Sequence, residues 1–206
     1  DSPTPPPPLG GGSGRRRGGG GYGRPGGSRW GGQDPVGFAE TDYGNAKRFA
    51  VRWDESLRYV GEKKKWRFYK DGVWRDDITE RADLAAKDVI TSIQTEANLL
   101  RGQARTARKA WQTESESAAR IYAMLRLARS ELAIHLHEFD ADPWVLNVRN
   151  GTIDLKTGEL RPHSRWDFLS KQAPVTYDPD ADVRERGAWI LDVAQGNEAY
   201  AAFLKR

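Results

Sequence analysis

The densest group of chemistry-bearing side chains is Lys63-Lys64-Lys65-Trp66-Arg67-Phe68-Tyr69-Lys70. Cations interleaved with rings suit a single nucleic-acid strand, because the charges meet phosphates while the rings stack on bases. Strand alternation places Lys65, Arg67 and Tyr69 on one face and Trp66, Phe68 and Lys70 on the other. The expected contact residues are therefore Lys63, Lys64, Lys65, Trp66, Arg67 and Tyr69. A second cationic set, Arg15, Arg16 and Arg17, precedes Gly18-Gly19-Gly20-Gly21-Tyr22 and has the character of Arg-Gly-Gly segments that bind single strands. Each set also has a plainer reading. The first is equally a hairpin whose lysines guard an edge strand, and the second a linker kept soluble by arginines.

Other constellations carry less. Asp140 and Asp142 flank Ala141 before Pro143, which suits the end of a helix and a turn better than a metal site. Asp178, Asp180 and Asp182 imitate the start of a calcium loop but lack its glycine at position six and glutamate at position twelve. His135 and His137 stand two apart on an expected helix, so they should point in different directions and not share a metal. His163 ends a strand and should be solvated. Asn150-Gly151-Thr152 matches a glycosylation sequon, although a tight hairpin accounts for it as well. No glycine-rich loop ending in Gly-Lys-Ser or Gly-Lys-Thr is present, and no serine, histidine and carboxylate set has a local nucleophile signature. The sequence thus offers no catalytic residues, no metal ligands and no cofactor site of its own.

Composition bounds the rest. The chain has 206 residues, enough for one ordinary domain and a tail, and no cysteine, which excludes a disulfide framework and cysteine-ligated zinc. It starts at Asp1 and its sole methionine is Met124, so it reads as a piece of a longer protein. No run approaches the roughly 18 apolar residues of a membrane helix, and no signal-peptide pattern exists, which points to a cytoplasmic protein without a membrane partner. The formal net charge is +4, and residues 1–34 hold five arginines against two aspartates. The basic balance therefore belongs mostly to the tail.

These side chains need elements to position them. Residues 1–34 are rich in Pro, Gly and Arg, have little to bury, and are expected to form a disordered tail or linker. Residues 35–206 should form a domain. Thr41 is a candidate N-cap for a helix that buries Ala46, Phe49, Ala50 and Trp53. Leu57–Val60, Lys65–Lys70 and Val73–Arg75 read as a meander with Asp71-Gly72 as a turn. One helix is expected over about 78–110. A second should start at the capping box Thr113-Glu114-Ser115-Glu116 and bury Ala118, Ile121, Leu125, Ala128 and Leu132. A second meander spans about 144–162. Asn150-Gly151 is expected to supply a type I′ turn, and Lys156-Thr157-Gly158 a turn with its glycine in the left-handed region. A last helix should run from about 183 to 206. The fold class is α+β, with helices packed beside two small antiparallel meanders.

Three phrases are shared with a known family: Trp144-Val145-Leu146-Asn147-Val148-Arg149-Asn150-Gly151-Thr152-Ile153-Asp154-Leu155-Lys156-Thr157-Gly158-Glu159-Leu160-Arg161-Pro162-His163, Thr41–Phe49 with Leu57–Val60, Trp66, Asp71-Gly72 and Trp74, and Arg120-Ile121 with Met124-Leu125 and Ala128-Arg129-Ser130. In collinear order from about Thr41 to about Pro179, the chain resembles the phage and plasmid primase–helicase family, which is related to the poxvirus primase-helicase. The matching region lies immediately N-terminal to a superfamily-three helicase. The lysine run before Trp66 departs from the family pattern, as does the segment after Asp178. The resemblance implies an accessory domain that couples a primase to an ATP-driven helicase. It further implies DNA as partner, a homo-oligomer for the whole protein, and ATP and magnesium for the helicase rather than for these residues. The alternatives are a stand-alone, non-enzymatic single-strand-binding protein with an Arg-Gly tail and, from the eight tryptophans, a sugar-binding module.

Overall fold

The computed structural model describes residues 34–181 and 184–204. The described chain forms two compact units, divided between Pro174 and Val175.

In the first unit, helix α1 (Asp42–Trp53) starts at Thr41, whose hydroxyl accepts the Gly44 amide at 3.0 Å, in agreement with the cap expected there. Strands β1 (Leu57–Val60), β2 (Lys65–Lys70) and β3 (Val73–Asp76) follow as an antiparallel meander. Its β2–β3 turn is Asp71-Gly72, with φ of 52° and 79°, the positive pair of a type I′ hairpin. Three helices come next: α2 (Arg81–Leu99), α3 (Gly102–Ser115) and α4 (Ala118–Glu131). The single helix expected over 78–110 is thus two, separated where Leu100 and Arg101 are extended and Gly102 has φ +57°. The expected capping box is also displaced. Thr113 lies inside α3, and the cap of α4 is Ser117, which accepts the Arg120 amide. Asp77 caps α2 by accepting the Arg81 and Ala82 amides at 3.0 and 2.9 Å.

Strand β4 (Ala133–Ile134) then joins the meander parallel to β1, giving the order β3-β2-β1-β4. This sheet is covered on both faces. Ala46, Phe49, Trp53, Leu57, Val89, Met124 and Leu132 form one core, with Trp66 and Phe68 packed against it. Val60, Trp74, Ile134 and Phe139 form the other, with Tyr69 and Phe168.

Strands β5 (Val145–Val148), β6 (Gly151–Asp154) and β7 (Leu160–Arg161) make the second meander. The β5–β6 turn is Arg149-Asn150, since Val148 pairs with Gly151, and Gly151 has no positive φ. The Asn150-Gly151 type I′ turn is therefore absent, and glycine is required for another reason. A Cβ at position 151 would collide with the Arg161 carbonyl and the Leu160 side chain of β7. Gly158, with φ 76°, does hold the expected left-handed turn position. Asn147 fastens the second sheet to the first by donating its side-chain amide to Gly72 O and Lys171 O, both at 3.0 Å.

In the second unit, α5 (Arg184–Val193) and α6 (Glu198–Leu204) replace the one helix expected over 183–206. Gln195 and Gly196, with φ of 52° and 78°, reverse the chain between them, and Ile190, Ala194 and Ala201 pack together. Among the described residues no helix is long and apolar enough to cross a membrane.

Candidate nucleic-acid interface

The lysine cluster divides sharply in the structure. Gly61–Lys63 is a single 3-10 turn ending at Lys64, which takes a left-handed conformation (φ 51°). Lys63, Lys64 and Lys65 are all exposed, and among the described residues none makes an ion pair. The side chains after them are committed to the fold. Trp66 packs on Phe49 and Tyr59 at centroid distances of 5.6 and 5.2 Å. Arg67 is buried, bonds Asp76 Oδ1 at 2.8 Å and lies 4.4 Å over the Phe139 ring. Tyr69 packs on Trp74 at 5.5 Å under the Arg165 guanidinium. Alternation does send Arg67 and Tyr69 opposite to Trp66 and Phe68, but each face meets its own core. Stacking rings and phosphate-binding cations are therefore not presented side by side. Arg15, Arg16 and Arg17 lie outside the described residues.

Electrostatics around the cluster follow from this packing. Burial pushes the Asp76 carboxyl up, but the hydrogen bond and charge of Arg67, with Lys63 and Lys65 nearby, hold it below the usual carboxylate value. Burial pushes the Tyr69 phenol up. Arg58 is drawn down to about 10 by burial, against the opposing pull of Asp54 and Glu55. Its guanidinium stands 5.6 to 5.9 Å from the Trp166, Trp74 and Phe168 rings and bonds Leu57 O at 2.9 Å. That cage is a cross-link between β1 and the 165–168 turn, not a ligand site.

Beneath α1 lies an ion network that spacing did not reveal. Arg48 Nε donates to both oxygens of buried Glu96 at 2.9 and 3.0 Å, and Arg108 Nη1 pairs with the same carboxylate. The two guanidiniums also hold the Phe38, Ala39 and Val36 carbonyls, which tethers the segment before Thr41 to α1, α2 and α3. Asn45 accepts from Trp111 Nε1 and donates to Ser115 Oγ, both at 3.0 Å. Much of the Thr41–Phe49 phrase is accordingly structural.

The carboxylate and histidine candidates resolve in different ways. Asp140 accepts the Ser170 amide and hydroxyl at 2.7 and 2.5 Å, and Asp142 accepts the Trp144 amide, so both are turn-formers. Asp178 accepts the Asp180 amide, while Asp182 lies outside the described residues. His163 is partly buried rather than solvated. Its Nε2 meets Val148 O at 2.8 Å, and its ring lies against Gly72. His135 and His137 do not sit on an α-helix. His135 is the extended residue before a 3-10 turn (Leu136–Glu138), so helical spacing does not apply, and the two rings stack at 5.3 Å. Glu62 joins them, with Oε1 3.1 Å from His135 Nδ1 and accepting the Leu136 amide at 3.2 Å. Its carboxyl is held below the usual value by its own backbone amide, the Leu136 amide and His135. Sequence reasoning missed this convergence because the fourth strand that produces it has two residues.

No curated protein matches the chain. The profile of the family described as D5 N terminal like matches residues 46–195. That span holds α1 from Ala46, both sheets and α5, together with most of the three phrases that carried the resemblance. By this match the chain belongs to the D5 N-terminal-like family, the domain found in phage, plasmid and poxvirus primase–helicase proteins.

Proposed function

We propose that this chain is the accessory domain of a mobile-element replication primase–helicase, coupling the primase to the ATP-driven helicase and touching DNA through Lys63, Lys64 and Lys65. The observation that supports DNA binding here is the Lys63–Lys65 turn itself, three exposed cations without ion-pair partners among the described residues beside rings already consumed by packing. Recognition is then of phosphate and indifferent to sequence, since phosphates position a protein while base edges specify it. Trp66, Arg67 and Tyr69 support the turn rather than stack on bases. ATP and magnesium belong to the helicase that such a domain serves. Arg15, Arg16 and Arg17 add a second point of attachment.

Titration of fluorescent single-stranded DNA at several salt concentrations tests the role of the turn. Each lysine–phosphate pair that is removed flattens the log–log salt slope by about 0.7, so K63Q/K64Q/K65Q should reduce it by about 2. An unchanged slope overturns the role of these lysines. Binding that is abolished only by removing residues 1–33 favours the stand-alone Arg-Gly-tail reading. Coupling is tested separately in a primase–helicase carrying this domain. Its replacement by a flexible linker should leave primer synthesis and unwinding each active but no longer coordinated.

A further inference from the structure

We propose that Glu62, His135 and His137 form a binding site for one divalent transition-metal ion, with zinc(II) the best match. Their ligand atoms, one carboxylate oxygen and one nitrogen from each imidazole, all lie within 4.8 Å of one another. They come together because β4 runs parallel to β1, pairing Tyr59 with Ala133 and Val60 with Ile134. Parallel partners leave the sheet at the same end, so the 3-10 turn after β1, carrying Glu62, lies beside the 3-10 turn after β4, carrying His137. Both turns are short and anchored by the sheet, and the Leu136 amide to Glu62 Oε1 bond ties one to the other.

The donor set selects the ion. Two imidazoles with one carboxylate suit zinc and other divalent transition metals such as iron(II), whereas magnesium and calcium take oxygen ligands; zinc is the member of that group that prefers four ligands. Bonds of about 2.0–2.2 Å place neighbouring ligand atoms of a tetrahedral zinc roughly 3.4 Å apart. Glu62 and His135 already approach at 3.1 Å. The remaining adjustment is a rotation of exposed side chains, in which the two imidazoles give up their mutual stacking. A cavity lined by Gly61, Glu62, Ala133, Ile134 and His135 opens beside two of the three ligands, and three protein ligands leave the fourth position of a tetrahedral ion to water. Three protein ligands and one open position define a site that other ligands can reach. The ion would also pin the β1–β2 and β4 exits together beside Lys63 and Lys64.

The experiment is a zinc chloride titration of the metal-stripped chain by calorimetry, with a parallel titration of cobalt(II) followed by visible absorption. One equivalent should bind, and cobalt should develop ligand-field bands of a tetrahedral or five-coordinate nitrogen–oxygen site. E62Q, H135A and H137A should each weaken binding by about tenfold or more, the scale on which even outer-shell partners act. All three positions are exposed, so the metal-free variants should keep the fold, E62Q and H135A losing only surface hydrogen bonds between the two turns, and H137A is the variant expected to keep the melting temperature. The chain has three histidines, so imidazole NMR resolves the site directly. Zinc should shift two imidazoles and leave His163 in place. Absence of stoichiometric binding overturns the proposal. So does binding that survives H135A and H137A, or that disappears with H163A instead.

Discussion

Glu96 shows how a single side chain can hold a fold together without taking part in chemistry. It is buried and shared by Arg48 and Arg108, so removing its charge leaves the Arg48 guanidinium with no carboxylate among the described residues and Arg108 with Glu40 alone. Breaking one partner of a buried pair costs about 3–5 kcal/mol, because the leftover charge is uncompensated. Glu96→Gln should lower stability by about that amount in urea denaturation, and a change within error of zero would show that the guanidiniums find water. Asp76 gives a milder, pH-dependent case. Its folded carboxyl is held below the usual value by Arg67, so the pair contributes stability above the unfolded carboxylate pKa. That contribution should fade as pH falls through the folded value. Melting temperatures of wild type and Asp76→Asn should accordingly differ near neutrality and converge in acid. Gly151→Ala should destabilise the second meander by steric conflict with the Arg161 carbonyl, whereas a positive-φ turn would have predicted a conformational cost alone.

The helices pack through broad apolar faces, whereas the two sheets are joined to one another through a hairpin tip. The Asp71-Gly72 turn is that tip. Its carbonyl at Gly72 takes Asn147, its Cα lies against His163, and the Trp74 amide that follows donates to Leu169 O at 2.9 Å. Asn147→Ala leaves two carbonyls without that donor, and buried acceptors left unpaired cost about 1–3 kcal/mol. The denaturation midpoint should fall by the corresponding amount with an unchanged m-value, and amides of the Asp71-Gly72 turn should exchange faster. Equal exchange in both proteins would mean that the sheets are held by their apolar packing alone. The break between α2 and α3 belongs at this scale too. It lets α3 fold back so that Arg108 meets Glu96 of α2 and Trp111 reaches Asn45 of α1, which one continuous helix would carry away from them.

At the scale of the molecule, charge is unevenly shared: residues 1–33 hold five arginines and one aspartate, while the described part is nearly balanced. If tail and turn both meet phosphate, deleting residues 1–33 and substituting Lys63, Lys64 and Lys65 should reduce the salt slope additively, as expected for separate sites. A slope that falls with one change and not further with the second would mean that both act at the same place on the strand. What the sequence determined alone was local. The Thr41 cap, the Asp71-Gly72 and Gly158 turns, the strands around Trp66 and Ile153, and the helical face of Ile121, Leu125 and Ala128 all rest on residues near one another along the chain. Their geometry follows from φ, hydrogen-bond spacing and side-chain periodicity, which are set within a few residues. Tertiary structure decided the rest. It buried both faces of β2, so that Arg67 and Tyr69 became core supports while Lys63, Lys64 and Lys65 stayed exposed. It also made Gly151 a point of close approach to β7 and brought Glu62 to His135, a partner 73 positions away. The meeting of Glu62 and His135 depends on a parallel pairing through a two-residue strand, and a pairing that short leaves no periodic trace in the sequence for local geometry to read.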